Sequence, residues 1–150
     1  MNITVFTYGT LEIPAVMEAV TGKSFPSIEA TAENFARYVI KGKSYPGMIP
    51  APGQATAGRL YYEVDPGSLA LLDRFEDKVY VRQLIPVKTG KGESLEAYAY
   101  IIPPPYSGIL SSEPWDRNRF MASHLPRYLT ACQAFHQEAL RHRRGQPSGS

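Results

Sequence analysis

The order of strand-like and helix-like segments most restricts the fold of this 150-residue chain. Alternating or β-branched segments recur through the first 101 residues, two helix-like segments interrupt them, and the longest helical pattern follows. We expect five or six strands with two or three helices. Because strands and helices do not alternate strictly, the order argues against a doubly wound parallel sheet. An α+β fold, with a mixed sheet or a small barrel and helices packed against it, fits the order better.

Strand-like composition marks five segments, and prolines divide them. A helix is expected from Pro14 to Val20, because proline suits the first turn of a helix. Pro46, Pro50 and Pro52 argue against a long regular element in their region, because proline has no N–H to donate. The expected strands are 3–7, 31–40, 57–64, 79–87 and 95–101.

The C-terminal third is expected to be a loop followed by helices. Three consecutive prolines at 103–105 end the last strand, and residues 103–114 read as a loop. The helical pattern runs from Trp115 to Leu140, and Pro126 divides it into one segment ending near His124 and another starting near Pro126. Residues 145–150 are polar and glycine-rich, which predicts a disordered tail.

Charge, cysteine content and hydropathy exclude several classes of protein. The net charge of +2 gives no global signal for nucleic-acid binding. A single cysteine, Cys132, allows no intramolecular disulfide, and its place in a helical apolar pattern favours packing over a nucleophilic role. The first residues lack a basic n-region, and no segment approaches the apolar length of a membrane span. We therefore expect a cytoplasmic protein with no membrane or nucleic-acid partner.

The segment Asp65 to Arg82 joins a helix to a strand, with one carboxylate at the junction. Asp65 can cap the helix, and Leu69 and Leu72 lie on its apolar face. Glu76 follows Leu72 by four residues and so projects from that same face. Burial and the negative end of the helix dipole would both favour a neutral carboxyl, as a general acid/base requires. The alternative is a structural glutamate at a frayed helix end that reaches to water.

A second candidate feature is the turn from Tyr8 to Leu11, between the first strand and the first helix. A glycine turn at such a junction can leave backbone N–H groups pointing outward, where they bind anions or carbonyl oxygens. A tight connection without a ligand explains the same residues. The sequence alone leaves these two interpretations open.

Several well-known catalytic patterns are absent from the sequence. It contains neither a G-x-S-x-G nucleophile elbow nor the glycine-rich loops that bind nucleotide phosphates. The three histidines, His124, His136 and His142, are spaced by twelve and six residues, which is not a metal-binding pattern. We therefore predict that the protein binds no metal and no cofactor.

Taken together, four blocks of residues resemble the gamma-glutamylcyclotransferase-like family, which includes avirulence-induced proteins and gamma-glutamylamine cyclotransferases. The resemblance covers about residues 3–102, and its most specific parts are the first and last blocks. The blocks are Tyr8-Gly9-Thr10-Leu11, Tyr45-Pro46-Gly47, Gly58-x-Leu60-Tyr61, and Leu72-Asp73-x-Phe75-Glu76 followed by Tyr80 and Arg82.

The resemblance implies a small mixed, mostly antiparallel β-barrel with flanking helices and a cavity between the first turn and the central helix. It implies one domain over 1–144, with a core at 3–102 and a C-terminal helical extension at 115–141. Glu76 would be the catalytic acid/base. The substrate would contact the Tyr8, Gly9, Thr10 and Leu11 loop and, less directly, Tyr80, Tyr98 and Arg82.

The activity implied by the resemblance is metal-independent release of 5-oxoproline from a gamma-glutamyl amine or peptide. Such an enzyme is a lyase or acyltransferase whose partner is a small gamma-glutamyl molecule. The alternatives are a non-catalytic ligand-binding or interaction module on the same fold, or a related acyl-transfer or amide-cleaving enzyme of a biosynthetic pathway. The sequence identifies neither the leaving amine nor the oligomeric state. Residues 41–56 and 103–114 are the loops expected to surround that amine.

Overall fold

The computed structural model describes residues 3–76 and 78–145, with side chains as far as Arg141. These residues contain five strands, four α-helices and two short 3-10 turns. The strands are β1 (Ile3–Thr7), β2 (Ser27–Val39), β3 (Pro46–Val64), β4 (Val81–Thr89) and β5 (Ser94–Ile101). The helices are α1 (Pro14–Thr21), α2 (Pro66–Phe75), α3 (Arg117–Ser123) and α4 (Leu125–Gly145), and the 3-10 turns are Thr10–Glu12 and Pro104–Ile109.

The five strands form a closed barrel in the order β1-β3-β2-β4-β5. Four of the neighbouring pairs are antiparallel, and the barrel closes through a parallel pair in which Val5 of β1 lies opposite Tyr98 of β5. The expected α+β fold, a small mixed and mostly antiparallel barrel with flanking helices, is therefore confirmed.

The expectation that prolines exclude a long element before residue 57 was wrong, because β3 begins at Pro46 and has 19 residues. β3 pairs with β1 only between Arg59 and Val64, so its first half has a strand on one side alone and tolerates residues without an N–H. The pairing with β2 shifts register between Glu33 and Phe35, and Pro52 falls in that irregularity. Asn34 stabilises it by accepting a hydrogen bond from the Gly53 N–H at 3.0 Å.

Other predicted boundaries differ by a few residues. β2 begins at Ser27, before the predicted start, and β4 begins at Val81, after Val79 and Tyr80. The loop predicted at 103–114 contains the 3-10 turn Pro104–Ile109. Gly145, assigned to a disordered tail, is the last residue of α4, and the other predicted tail residues, 146–150, lie outside the described residues. In the described part of the chain, no helix is both long enough and apolar enough to cross a membrane.

Two hydrophobic cores stabilise the structure, one inside the barrel and one between the barrel and the helices. All five strands contribute buried side chains to the inner core, among them Phe6, Leu60 and Ile85. Helix α1, helix α2 and Cys132 of α4 pack against the outward-facing residues of β1, β3 and β5 to form the outer core. Successive strand residues face opposite sides, so one strand supplies both cores.

Helix α2 begins and ends as the sequence predicts. The Asp65 carboxylate accepts hydrogen bonds from the Ser68 N–H at 3.0 Å and from the Ser68 hydroxyl at 2.7 Å. These bonds lower the pKa of Asp65 to about 2. Helix α2 ends at Phe75, and the Glu76 N–H makes the final bond, 3.0 Å to the Leu72 carbonyl. The backbone turns extended at Glu76, which fixes that side chain just beyond the helix end.

The close approach of β3 to β1 can be tested by a substitution at Gly58. A Cβ at Gly58 would collide with the Thr7 carbonyl oxygen and lie 2.8 Å from Cζ of Phe6. We expect Gly58→Ala to lower the free energy of unfolding by about 1–3 kcal/mol, the usual cost of overpacking. Gly90→Ala is the matched control, because a Cβ there meets nothing within 4 Å. The free energy of unfolding of both variants is measured by urea denaturation. Equal values for the two would contradict the close packing at Gly58.

Candidate active site

A cavity of about 300 Å³ lies where the barrel meets the helical layer. Its lining includes Tyr8 from the inner core and Leu11, Tyr100 and Cys132 from the outer core. Six parts of the chain form the wall: the end of β1 with the turn after it, the start of β3 with the residue before it, the end of α2, the residue before β4, the end of β5, and α4. The lining residues are Phe6, Thr7, Tyr8, Gly9, Thr10, Leu11, Tyr45, Pro46, Phe75, Glu76, Tyr80, Tyr100, Tyr128, Ala131 and Cys132.

Glu76 is the only charged residue among the described residues that line the cavity. It is half-buried, and the end of α2 positions it beside the aromatic ring of Phe75. Phe75 is itself fixed by edge contacts with Tyr128 at 6.3 Å and Phe135 at 5.2 Å between ring centroids. The carboxylate predicted from helical spacing therefore does reach a cavity.

Four tyrosines surround this carboxylate, and each hydroxyl has a hydrogen-bond partner. The Tyr8 hydroxyl donates to the Tyr100 carbonyl, and the Tyr80 hydroxyl donates to the Pro46 carbonyl at 2.6 Å. The Tyr100 hydroxyl donates to the Asp73 carboxylate at 2.6 Å. The Tyr128 hydroxyl and the Thr10 hydroxyl are 3.0 Å apart, which ties α4 to the first turn. These bonds hold the cavity wall in one arrangement.

The tyrosines stay neutral near pH 7. Burial raises the pKa of each, and the negative charge of Glu76 adds to the rise in all four: Tyr8, Tyr80, Tyr100 and Tyr128. They therefore act as hydrogen-bonding groups and apolar walls rather than as anions.

The turn from Tyr8 to Leu11 forms another part of the cavity wall. Its first internal hydrogen bond runs from the Glu12 N–H to the Gly9 carbonyl at 3.0 Å, so the turn itself uses none of the N–H groups of Gly9, Thr10 and Leu11. Gly9 has a φ of −129°, outside the left-handed region. Glycine is required instead by close packing, because a Cβ would lie 2.9 Å from Cγ of Pro46.

A partly buried ion pair supports this turn from behind. The Arg37 guanidinium donates to the Tyr8 carbonyl at 2.6 Å and to the Ala57 carbonyl at 3.2 Å. It also lies 3.4 Å from the Glu12 carboxylate, whose other oxygen is 3.4 Å from Arg117. Burial raises the pKa of Glu12 more than these cations lower it, and burial lowers the pKa of Arg37. Because both charges are partly desolvated, the removal of either group would leave the other charge poorly compensated and would destabilise the fold.

Sequence patterns gave no indication of Arg37. It lies within β2, 29 positions from Tyr8 along the chain. Only the pairing of β2 with β3 in the closed barrel brings it behind the turn. No spacing rule within one element could have found the contact.

Six of the eight predicted site residues line the cavity, and two do not. Arg82 and Tyr98 contact each other outside it, with the guanidinium carbon 4.8 Å from the ring centroid. Arg82 also pairs with Asp73 at 3.0 Å, and Asp73 accepts the hydrogen bond from Tyr100. Direct substrate contact by Arg82 and Tyr98 does not fit this placement. The six that line the cavity are Tyr8, Gly9, Thr10, Leu11, Glu76 and Tyr80.

Helix α4 contributes a wall that sequence reasoning did not assign. Tyr128, Ala131 and Cys132 line the cavity, whereas no residue of 103–114 does. From the other loop expected there, 41–56, only Tyr45 and Pro46 take part. Burial raises the pKa of Cys132 to about 12, so the thiol stays protonated near neutral pH. Its interpretation as a packing residue rather than a nucleophile agrees with this environment.

Two histidines have packing roles away from the cavity. His136 Nδ1 lies 2.9 Å from the Val20 carbonyl, and His124 lies against Phe120 with 5.7 Å between ring centroids. No group of three potential metal ligands occurs among the residues that the structure describes. The absence of a metal or cofactor requirement stays a prediction.

Comparisons with known proteins were made for the whole chain. The model of the gamma-glutamyl cyclotransferase, AIG2-like family matches residues 5–117. AIG2-like protein D of Arabidopsis thaliana is 28% identical over 136 residues, which is 89% of each chain. The solution structure of an Arabidopsis thaliana protein has a TM-score of 0.69 at 20% identity and covers 98% of this chain and 95% of that chain. A structure described as a gamma-glutamyl cyclotransferase has a TM-score of 0.62 at 17% identity, with 89% and 88% covered. At these identities the two structures show the fold alone.

The ion pair behind the turn can be tested by removing its charges. We expect Arg37→Met to lower the free energy of unfolding by about 3 kcal/mol, because Glu12 keeps only Arg117 and two carbonyls lose a donor. The free energy of unfolding should fall less in the double variant Glu12→Met/Arg37→Met than in Arg37→Met alone, because the double variant leaves no buried carboxylate without its partner. Urea denaturation measures each variant.

Lys88→Met is the control, because its ion pair with Glu33 has side chains that are 50% and 59% exposed. Such a pair contributes about 1 kcal/mol at most. If the destabilisations by Glu12→Met and Arg37→Met simply add in the double variant, the two side chains are not coupled and the ion pair does not support the turn.

Proposed function

This chain belongs to the gamma-glutamyl cyclotransferase, AIG2-like family, and we propose on that basis that it releases 5-oxoproline from a gamma-glutamyl amine or peptide. One observation supports this above the others. Among the described residues that line the cavity, the one carboxylate is the half-buried Glu76, which shares the cavity wall with the turn from Tyr8 to Leu11. The two blocks of residues most typical of the family therefore meet at one cavity, as the proposed reaction requires.

The proposed reaction needs one proton carrier and no protein nucleophile. The α-amine of the substrate attacks its own γ-carbonyl carbon, so a C–N bond forms and a five-membered ring closes. Collapse of the tetrahedral intermediate then breaks the bond from the γ-carbonyl carbon to the leaving amine. Glu76 accepts one proton from the α-ammonium and delivers it to the leaving nitrogen as the C–N bond breaks. The attacking nitrogen gives up its second proton when it becomes the ring amide, and the released amine takes up one proton to become an ammonium. Protons and bonds balance without any co-reactant.

The cavity would accelerate this reaction chiefly by holding the substrate folded. Holding the amine and the carbonyl in contact can lower the activation free energy by on the order of 7 kcal/mol in favourable intramolecular cases. The N–H groups of Gly9, Thr10 and Leu11 are the proposed donors to the α-carboxylate or to the developing oxyanion. Tyr80, through its bond to Pro46, would keep the wall opposite Glu76 in place.

The other ionisable groups that line the cavity fit the proton role less well. The thiol of Cys132 has a pKa of about 12, and burial keeps the neighbouring tyrosines neutral. None of them would accept a proton from an ammonium group near pH 7. Glu76 is therefore the proposed general acid/base.

Replacement of Glu76 tests this proposal. Glu76→Gln preserves size but cannot take up a proton, so we expect release of 5-oxoproline to fall by at least about 10²-fold. The assay incubates the protein with a panel of gamma-glutamyl amines and peptides and quantifies 5-oxoproline. Glu96→Gln, an exposed site on β5, is the control and should keep the wild-type rate. An unchanged rate in a folded Glu76→Gln protein would remove Glu76 from the reaction.

The turn can be tested separately from the carboxylate. Gly9→Val would push against the Pro46 side chain and obstruct the approach of a ligand, so we expect the affinity for 5-oxoproline to fall at least about tenfold. Thr10→Ser should be mild, because serine keeps the hydroxyl that contacts Tyr128. Calorimetric titration and the thermal midpoint are measured on the same samples. Full affinity in a folded Gly9→Val protein would exclude the turn from the site.

A further inference from the structure

The guanidinium of Arg37 lies where the pairing of β1 with β3 ends. The last residue pair of that ladder is Thr7 opposite Arg59. Just beyond it, the carbonyls of Tyr8 and Ala57 both accept hydrogen bonds from Nη1 of Arg37, at 2.6 and 3.2 Å. The guanidinium has several N–H donors in a fixed arrangement, so it can serve two carbonyls at once. The chain therefore leaves the barrel at Tyr8 with its carbonyl held by a cation.

The bond to the Tyr8 carbonyl also fixes the direction of the next N–H group. The peptide bond between Tyr8 and Gly9 is trans, so its carbonyl and its N–H point in opposite directions. Arg37 lies on the carbonyl side, where it lines a separate cleft of about 580 Å³. Gly9 lines the cavity that contains Glu76, and Arg37 is not among the described residues that line that cavity. The N–H of Gly9 therefore points to the cavity side.

The three N–H groups of the turn differ in what holds the carbonyl of the same peptide unit. The Gly9 carbonyl accepts from the Glu12 N–H at 3.0 Å, and the Thr10 carbonyl accepts from the Ile13 N–H at 3.2 Å. These donors are neutral, whereas the donor to the Tyr8 carbonyl is a charged guanidinium. A charged donor makes a stronger hydrogen bond and polarises the peptide unit that accepts it. The N–H of Gly9 is therefore the strongest donor of the three.

The positive charge behind the turn is not cancelled by its carboxylate partner. Glu12 lies 3.4 Å from Arg37 and 3.4 Å from Arg117, so two guanidinium groups share one carboxylate. The ring of Trp115 lies 5.5 Å from the guanidinium carbon of Arg37 and covers one of its faces. The excess positive charge therefore acts on the turn from a partly desolvated position, where its effect is stronger than in water.

We propose that Arg37 is a positioning residue for the ring closure. Through the Tyr8 carbonyl it orients and polarises the N–H of Gly9, and that N–H stabilises the oxyanion that develops on the γ-carbonyl oxygen of the substrate. The N–H groups of Thr10 and Leu11 are then left for the α-carboxylate. This inference rests on the proposed function, and it assigns to one N–H the role that was open among three.

Removal of the guanidinium separates this role from simple support of the turn. We expect Arg37→Ala to lower kcat for 5-oxoproline release at least about tenfold, because the oxyanion loses a polarised donor. The affinity for 5-oxoproline should stay within about twofold of the wild-type value, since the ring carbonyl of this product carries no full charge. Arg59→Ala is the matched control and should keep the wild-type kcat. Arg59 lines the same cleft as Arg37, but its guanidinium donates to the Ser27 hydroxyl at 2.9 Å.

Chemical rescue tests whether the charge itself is needed. The Arg37 side chain is 23% exposed and lines the open cleft, so a small molecule can reach the space that Arg37→Ala vacates. Guanidinium chloride, at concentrations far below those that denature, would bind there between the two carbonyls and the Glu12 carboxylate. We expect it to raise kcat of Arg37→Ala at least about threefold and saturably, and to leave Arg59→Ala unchanged. Urea has nearly the same shape without the charge and should not rescue.

Four results would overturn the role of Arg37 while leaving the cyclotransferase function intact. They are an unchanged kcat in folded Arg37→Ala, no rescue by guanidinium, equal rescue by urea, and a loss of 5-oxoproline affinity as large as the loss of kcat. The last would show that Arg37 only keeps the turn folded. If Arg37→Ala does not fold, Glu12→Met/Arg37→Ala replaces it in every assay, because it leaves no buried carboxylate without its partner. No turnover of any gamma-glutamyl compound by the wild-type protein would overturn the proposed function and this inference with it.

Discussion

The structure depends on the two-sided pairing of strand β1. β1 pairs antiparallel with β3 and parallel with β5, and this second pairing closes the barrel. Because β1 is fixed on both sides, its end at Thr7 has a defined position, and the turn that follows must leave the barrel there. That turn is one wall of the cavity. The closure of the sheet, rather than any single side chain, therefore decides where this wall of the cavity lies.

The cavity lies at a boundary that both cores leave partly open. The inner core lies in the barrel and the outer core lies beneath the helices, and residues of both cores line the cavity. Polar groups at this junction are held by specific bonds: Tyr8 to the Tyr100 backbone, Tyr100 to Asp73, and Arg37 to the Tyr8 backbone. Such a satisfied polar network makes the site rigid, and rigid positioning is what an intramolecular ring closure requires.

The barrel with its turn and helix α4 contribute different parts of the cavity. Residues 5–117 supply the barrel, the turn and Glu76, which are the parts that the proposed chemistry needs. Helix α4 packs against α1 and covers one side of the cavity with Tyr128, Ala131 and Cys132. The wall that α4 supplies is therefore separate in the chain from the elements that carry Glu76 and the turn.

The sequence by itself determined the features that depend on short-range periodicity and capping. Asp65 caps the start of α2 as the sequence predicts, and the order of segments predicts the α+β fold. The backbone at Glu76 is extended, so the place of this residue at the cavity depends on how the end of α2 packs in the tertiary structure. Only the tertiary structure decided which distant elements meet. Arg37 reaches the turn through strand pairing, and α4 reaches the cavity through packing on the outer core, and neither contact leaves a pattern in the chain. The physical reason is that a closed barrel joins residues by hydrogen-bond register across strands, which local sequence does not encode.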